Sequence, residues 1–173
     1  LGIPGQRLGV AALQRISSFA YAGRRSRVGD LPQVLGTAPA SVMAKEITTG
    51  GAGQLRALFV SAGNPVLSVP NGDELRSALD ELDLMVSLDI YRNETNAHAD
   101  YILPATTMYE RSDFLLPFQM LFTTPFKQAT EAVIPPQGEA REEWTVINEL
   151  IAVLARRNPL IGLMHAGNVV SKR

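Results

Sequence analysis

The chain is 173 residues long and sets 16 Lys+Arg against 17 Asp+Glu, a formal net charge of −1 at pH 7. So even a balance supplies no field to draw it onto nucleic acid or an anionic surface, and no apolar run approaches the ~18 residues of a membrane span. Neither nucleic acid nor direct membrane insertion is expected.

With 46% apolar and 19% charged residues, the composition is that of a globular chain able to bury a core. It contains no cysteine. That excludes, within this chain, a disulfide frame, a cysteine-ligated Fe–S cluster, a zinc ribbon and a cysteine nucleophile. His98 and His165 are the only imidazoles and stand far apart, which argues against a self-contained metal site. No basic and apolar leader follows Leu1, so no compartment is read from the sequence.

Residues 1–38 are rich in Gly, Arg, Ser and Pro, with weak apolar periodicity from Val10 to Phe19. They are expected to form an irregular arm that a larger protein holds down. The cluster Arg24, Arg25 and Arg27 suits a phosphate patch or a twin-arginine signal, but no apolar region follows it as such a signal needs, and a solvated loop is the expected reading. Ala40 to Thr49 suits a short helix closed by Gly50-Gly51. Leu55 to Val60 reads as a buried strand ending on Ser61-Ala62-Gly63. Pro65 excludes helical backbone at Asn64, so the chain turns there.

Asn71-Gly72-Asp73-Glu74 has the form of a helix N-cap with glutamate three residues on. Leu75, Leu79 and Leu82 follow at helical spacing as one apolar face. Leu84 to Leu88 is the next strand and ends at Asp89. These segments make a βαβ unit, with parallel strands and a right-handed crossover expected. Asn93 to Ala99 predicts a short helix or turn, and Tyr101 to Leu103 a third strand that Pro104 terminates. Phe114 to Phe126 has no clean period and suits an extended segment over the sheet. Glu139 to Arg157 predicts a helix, acidic at its start, with Trp144, Ile147, Ile151 and Leu154 as its buried stripe. The fold class expected is α/β: a Rossmann-like open, mainly parallel sheet with helices on both faces. An irregular arm over 1–38, an α/β domain over 39–157 and a tail over 158–173 complete the organisation.

Strand carboxyl ends converging on one edge of such a sheet form a nucleotide crevice. Gly63-Asn64-Pro65 reads on its own as a turn, although bare backbone and a free amide there would also suit a phosphate or sugar. Asp89 either caps the turn after its strand or accepts paired hydrogens from ribose hydroxyls or guanine; position leaves both open. Arg111 is half of an ion pair or a phosphate-gripping cation. Thr95 caps a turn or touches a phosphate. Glu143 reads as a first-turn acid, Asp100 as a fold-defining cap, and His98 as bonded to Asp100 or a backbone carbonyl. No nucleophile, base and orienting group stand together, so no catalytic residue is assigned.

Taken in order, several segments resemble the molybdopterin oxidoreductase family, the large-subunit relatives of formate dehydrogenase, periplasmic nitrate reductase and dimethyl sulfoxide reductase. They are Ala62-Gly63-Asn64-Pro65, Met85-Val86-Ser87-Leu88-Asp89, Asn93-Glu94-Thr95, Ala99-Asp100-Tyr101-Ile102-Leu103-Pro104-Ala105, Glu110-Arg111 and Gly138-Glu139-Ala140-Arg141-Glu142-Glu143-Trp144. The resemblance implies that residues 39–157 form a domain gripping the guanosine-diphosphate end of a molybdopterin guanine dinucleotide. Gly63 and Asn64 would touch this cofactor after the first strand; Leu88, through its backbone, and Asp89 would do so after the second. Thr95 and Arg111 would be phosphate- or pterin-side contacts, and Glu143 an acid near the last helix start. The molybdenum ligand and any Fe–S cluster would lie outside this segment. Implied partners are the remaining domains of the same polypeptide, with electron-transfer subunits beyond them.

Ser112-Asp113 and the following Phe-Leu-Leu-Pro replace the Gly-Thr run and glycine- and arginine-containing segment of many relatives, the mark of a divergent subfamily. The chain is therefore expected to be one cofactor-binding piece of a larger oxidoreductase, inactive alone. The alternative is a non-catalytic structural domain of a respiratory-complex subunit that has lost molybdenum. A free-standing NAD or ATP module is disfavoured, because there is no G-x-G-x-x-G turn and no P-loop lysine.

Overall fold

The computed structural model describes residues 23–114 and 128–158. The periodic stretch from Val10 to Phe19, all of Phe114 to Phe126 except Phe114, and all of the tail except Asn158 lie outside the described residues. By its contacts the chain divides into two compact units, residues 1–86 with 93–101 and residues 87–92 with 102–173.

Three strands, β1 (Ala57–Ser61), β2 (Leu84–Asp89) and β3 (Tyr101–Pro104), form a parallel sheet in the order β1-β2-β3. Sheet and accompanying helices make the fold α/β, as the alternating pattern predicts. The unit boundary passes through β2 and β3.

In the first unit, α1 (Met43–Thr48) follows a short 3-10 turn over Ala40–Val42. The Arg27 guanidinium sits over the end of α1, donating to Thr49 O at 2.6 Å, to Glu46 O at 3.2 Å and to Glu46 Oε2 at 3.1 Å. Cations at a helix C-terminus satisfy its orphan carbonyls and complement its dipole. Arg27 is thus a structural tie, not part of a solvated loop. Leu55 N–H then pairs with Glu46 O at 3.0 Å. That bond draws Leu55 to the helix end and delays strand pairing, so β1 begins at Ala57, two residues later than expected. Only Val60 of β1 is buried, and Phe59 is 42% exposed; the strand is not the wholly buried run its composition suggested.

Two helices separate β1 from β2: α2 (Pro65–Ser68), with proline at its first turn, and α3 (Gly72–Leu79). Ile47, Val60, Val66, Leu75, Leu79 and Met85 form the core of this unit, and Leu82 packs against it. The expected leucine face is therefore the buried one. Asn71 holds φ 60°, and its side chain caps no backbone amide. The capping box is absent because the left-handed turn serves a closer approach. A Cβ on Gly72 would stand 2.0 Å from the Val66 carbonyl oxygen, so glycine is what lets α3 pack on α2. Asp100 accepts the Met85 amide at 2.7 Å through its carboxylate and donates its own amide to Met85 O at 2.8 Å. This two-way bond makes it the fold-defining cap expected.

In the second unit, Leu88, Ala105 and Val146 form the core with Leu103 against them. Here α4 runs Glu143–Ala155, starting four residues later than the acidic pattern suggested. Residues before it are spent on an extension of β3: Arg141 N–H donates to Pro104 O and Thr106 N–H to Arg141 O, both at 3.1 Å. Pro104 ends the third strand, as expected, while lying within it. The stripe Trp144, Ile147 and Leu154 is exposed, at 55%, 37% and 53%, and Val146 is the buried residue instead. Strands β4 (Asp113–Phe114) and β5 (Ala129–Thr130) pair antiparallel, Asp113 opposite Thr130.

Gly72→Ala should lower stability by about 1–3 kcal/mol, the usual range for overpacking a close contact. A shift of the urea midpoint in the full chain measures it, and an unchanged midpoint would refute the close-packing role.

Candidate functional site

The loop after β1 carries the first set of candidate residues. Positive φ belongs to Ala62, at 50°, and not to Gly63, so the turn does not use glycine's freedom at Gly63. A Cβ built there meets nothing closer than Ser61 O at 3.7 Å. Nothing in the fold of this unit requires glycine at 63.

Asn64 precedes α2 but makes no side-chain cap to its own backbone. Its Nδ2 donates to Glu94 Oε2 at 2.7 Å, and its Oδ1 accepts from Thr95 Oγ1 at 2.6 Å. The Thr95 hydroxyl also accepts the Val66 amide at 3.0 Å, and the whole side chain is buried, 0% exposed. Both hydrogen-bonding roles of this hydroxyl are thus met by protein. The 93–98 segment can present Thr95 because Asn93 Oδ1 accepts the Thr95 and Asn96 amides at 3.0 and 2.9 Å, while Asn96 Oδ1 accepts the Asn93 amide at 2.7 Å. This reciprocal clasp closes the turn before the 3-10 helix Asn96–His98. Donation from Asn64 holds the Glu94 carboxyl below its usual range, helped by the Glu94 backbone amide. His98 Nδ1 bonds Asp80 Oδ1 at 2.6 Å, not Asp100, whose carboxylate is committed to Met85.

In the second unit, Leu88 is fully buried at the end of β2. Asp89 Oδ1 accepts the Ile90 amide at 2.7 Å and lies 3.4 Å from the Tyr91 amide. The carboxylate therefore caps the turn after the strand, and the Asp89 carbonyl accepts the Ala105 amide at 3.1 Å. Arg111 Nη1 donates to Glu143 Oε2 at 3.1 Å, and Nη2 lies 3.7 Å from Asp113 Oδ2. Arg111 and Glu143, thirty-two residues apart in sequence, are brought together as a half-buried ion pair.

Glu110 is a residue whose structural part sequence reasoning missed. It is buried and receives the Thr107 amide, the Thr107 hydroxyl and the Gln137 amide, each at 2.8 Å. The run Thr107-Met108-Tyr109-Glu110 has the Thr-x-x-Glu spacing at which a carboxylate reaches back to the threonine amide, although here the hydroxyl donates to the same carboxylate and the Glu110 amide goes to Thr107 O. Bonds from the Thr107 amide and hydroxyl hold the Glu110 carboxyl below the usual carboxylate range, aided by Gln137. Among the described residues, the buried hydroxyls of Ser87 and Thr106 have no hydrogen-bond partner. Among the described residues no group of three or more His, Asp and Glu side chains could hold a metal ion.

A family model for molybdopterin oxidoreductase matches residues 3–153. Over 96 residues the chain is 35% identical to the thiosulfate reductase molybdopterin-containing subunit of Salmonella typhimurium, 56% of this chain and 12% of that protein. Over 104 residues it is 32% identical to the assimilatory nitrate reductase catalytic subunit of Bacillus subtilis, 60% of this chain and 14% of that protein. Among solved structures, acetylene hydratase from Pelobacter acetylenicus shares the fold, with a TM-score of 0.61 over 84% of this chain and 19% of that chain, at 23% identity. An α/β domain with polar strand-end loops is the class that the fold defines. The chain belongs to the molybdopterin oxidoreductase family, and its matched segments span 12% and 14% of those two curated relatives.

A carboxyl with a depressed folded pKa stabilises the protein above its unfolded value, about 4.3 for glutamate, and that contribution is lost as pH falls through the folded value. The full chain should therefore lose stability as pH drops below about 4.3. Glu110→Gln should flatten that part of the profile. Urea midpoints at several pH values measure it, and an unaltered profile in the variant would assign the acid lability elsewhere.

Proposed function

We propose that this chain is the nucleotide-holding segment of a larger molybdopterin-dependent oxidoreductase, binding the guanosine-diphosphate end of a molybdopterin guanine dinucleotide. The observation that carries the reading is the loop after β1. There Gly63 leaves backbone bare where the fold itself would accept a side chain, and Asn64 beside it keeps hydrogen-bonding capacity beyond its two protein partners. Room for close approach with a polar group at its edge is what a phosphate or sugar demands. Family membership supports it, and the thiosulfate reductase relative is by its name molybdopterin-containing.

Within the first unit the proposed contacts are Gly63 and Asn64, with Thr95 acting through Asn64. Within the second they are the Leu88 backbone, Asp89, Arg111 and Glu143. The Ile90 amide fixes the Asp89 carboxylate, and a carboxylate suits the paired N–H donors of guanine. Arg111 reaches a phosphate by exchanging the Glu143 carboxylate for it. When bound, the cofactor supplies the oxidation–reduction chemistry through molybdenum; this chain contributes binding and orientation. Its molybdenum ligand, any Fe–S cluster, the other domains and electron-transfer subunits belong to the rest of the assembly in this reading.

One observation favours a second reading, a non-catalytic scaffold without molybdenum: Thr95 and Arg111 are both engaged by protein groups. Calorimetric titration of the full chain with GDP and with ADP separates the two. Binding of GDP in preference to ADP is expected, and binding of neither favours the scaffold. Gly63→Ala should leave the urea midpoint unchanged yet weaken GDP binding. Asp89→Ala should weaken GDP binding roughly tenfold, about 1.4 kcal/mol, with the domain still folded. Binding equal to the parent's in both variants would remove these residues from the site.

A further inference from the structure

The chain of hydrogen bonds through Val66, Thr95, Asn64 and Glu94 has a direction that chemistry alone imposes. A backbone N–H only donates, and the Val66 amide gives its hydrogen to Thr95 Oγ1. The hydroxyl, having accepted there, donates its own proton to Asn64 Oδ1 at 2.6 Å. Thr95 is fully buried, so that proton has no water as an alternative. At the other end an ionised carboxylate only accepts, and Glu94 takes a hydrogen from Asn64 Nδ2 at 2.7 Å. Turning the carboxamide over would set its oxygen against the Glu94 carboxylate. The two ends together permit one orientation.

A carboxamide carries two N–H donors and two acceptor lone pairs, and this relay engages one of each. We propose that Glu94 and Thr95 are positioning residues that lock the Asn64 carboxamide, holding its second N–H and second lone pair in one orientation as a donor and an acceptor for polar groups of a nucleotide. The ligand half of this inference rests on the nucleotide reading above; the orientation half does not. Asn64's donation lowers the Glu94 carboxyl further below its ordinary range, favouring its acceptor-only form. Asn93 and Asn96, by closing the turn, set Thr95 at the height of Asn64. A three-residue run, Asn93-Glu94-Thr95, thereby sets the geometry of a residue some thirty positions earlier.

The side-chain NH₂ resonances of Asn64 in the 15N-labelled full chain, identified by their loss in Asn64→Ala, report the orientation directly. Two well-separated Nδ2 protons are expected in the parent. Glu94→Ala should collapse that separation toward the value of an exposed carboxamide, while Glu94→Gln, which keeps a carbonyl acceptor, should retain it. Unchanged Asn64 resonances in Glu94→Ala would overturn the lock. In GDP titrations Glu94→Ala should weaken binding roughly five- to tenfold, with Glu94→Gln restoring it. The same substitution in an Asn64→Ala background should then have no further effect, because Glu94 acts through Asn64. An equal loss in both backgrounds would overturn the positioning role. A parent that binds neither GDP nor ADP would overturn the nucleotide reading and the ligand half with it, whereas the resonances would still decide the orientation.

Discussion

The Thr95 hydroxyl, buried between an amide that can only donate and a carbonyl that must accept, fixes the loop after β1. Leaving a buried donor or acceptor unpaired costs about 1–3 kcal/mol, so neither Val66 nor Asn64 can drift without exposing that penalty. The same bonds set the start of α2, and α3 reaches α2 only because Gly72 has no side chain to meet Val66 O. Packing and polar satisfaction thus converge on one short stretch, residues 64–72. Outward from it lie the core leucines of α3 and, through Asp100 and Met85, the second strand.

The second unit is organised by a different economy of polar groups. Glu110 gathers three hydrogens from Thr107 and Gln137 and so joins two turns that are far apart in sequence. Arg111, next to it, is turned toward Glu143 and Asp113 instead. Neighbouring charges of opposite sign are therefore used separately, one for the turn and one for the start of α4. The hydroxyls of Ser87 and Thr106, without a partner among the described residues, stand apart from this satisfaction. The exposed apolar faces of α4 and β1 form a further contrast with the well-packed core.

Much of the fold was legible in residue patterns. Period and punctuation located β2, β3 and the body of α3, since apolar runs bounded by Asp, Pro and Asn leave little choice. Boundaries failed where long-range backbone pairing intervened: Glu46 captured Leu55, and Pro104 captured Arg141. No local pattern could show either. The stripe of α4 was misjudged because the helix is apolar on more than one side, and periodicity then does not say which side the chain itself covers. For the site, the residue types were legible and their partners were not. Asn64 with Thr95, and Arg111 with Glu143, stand about thirty residues apart, beyond any motif spacing. Thr107 and Glu110 were the opposite case, a local signature that could have been read.

The most direct test of a guanylate contact at the loop after β1 is an amide and side-chain chemical-shift map of the full chain titrated with GDP. Saturable shifts are expected at Gly63 and at the Asn64 carboxamide. Shifts confined to other surfaces, with Gly63 and Asn64 silent at saturation, would contradict it.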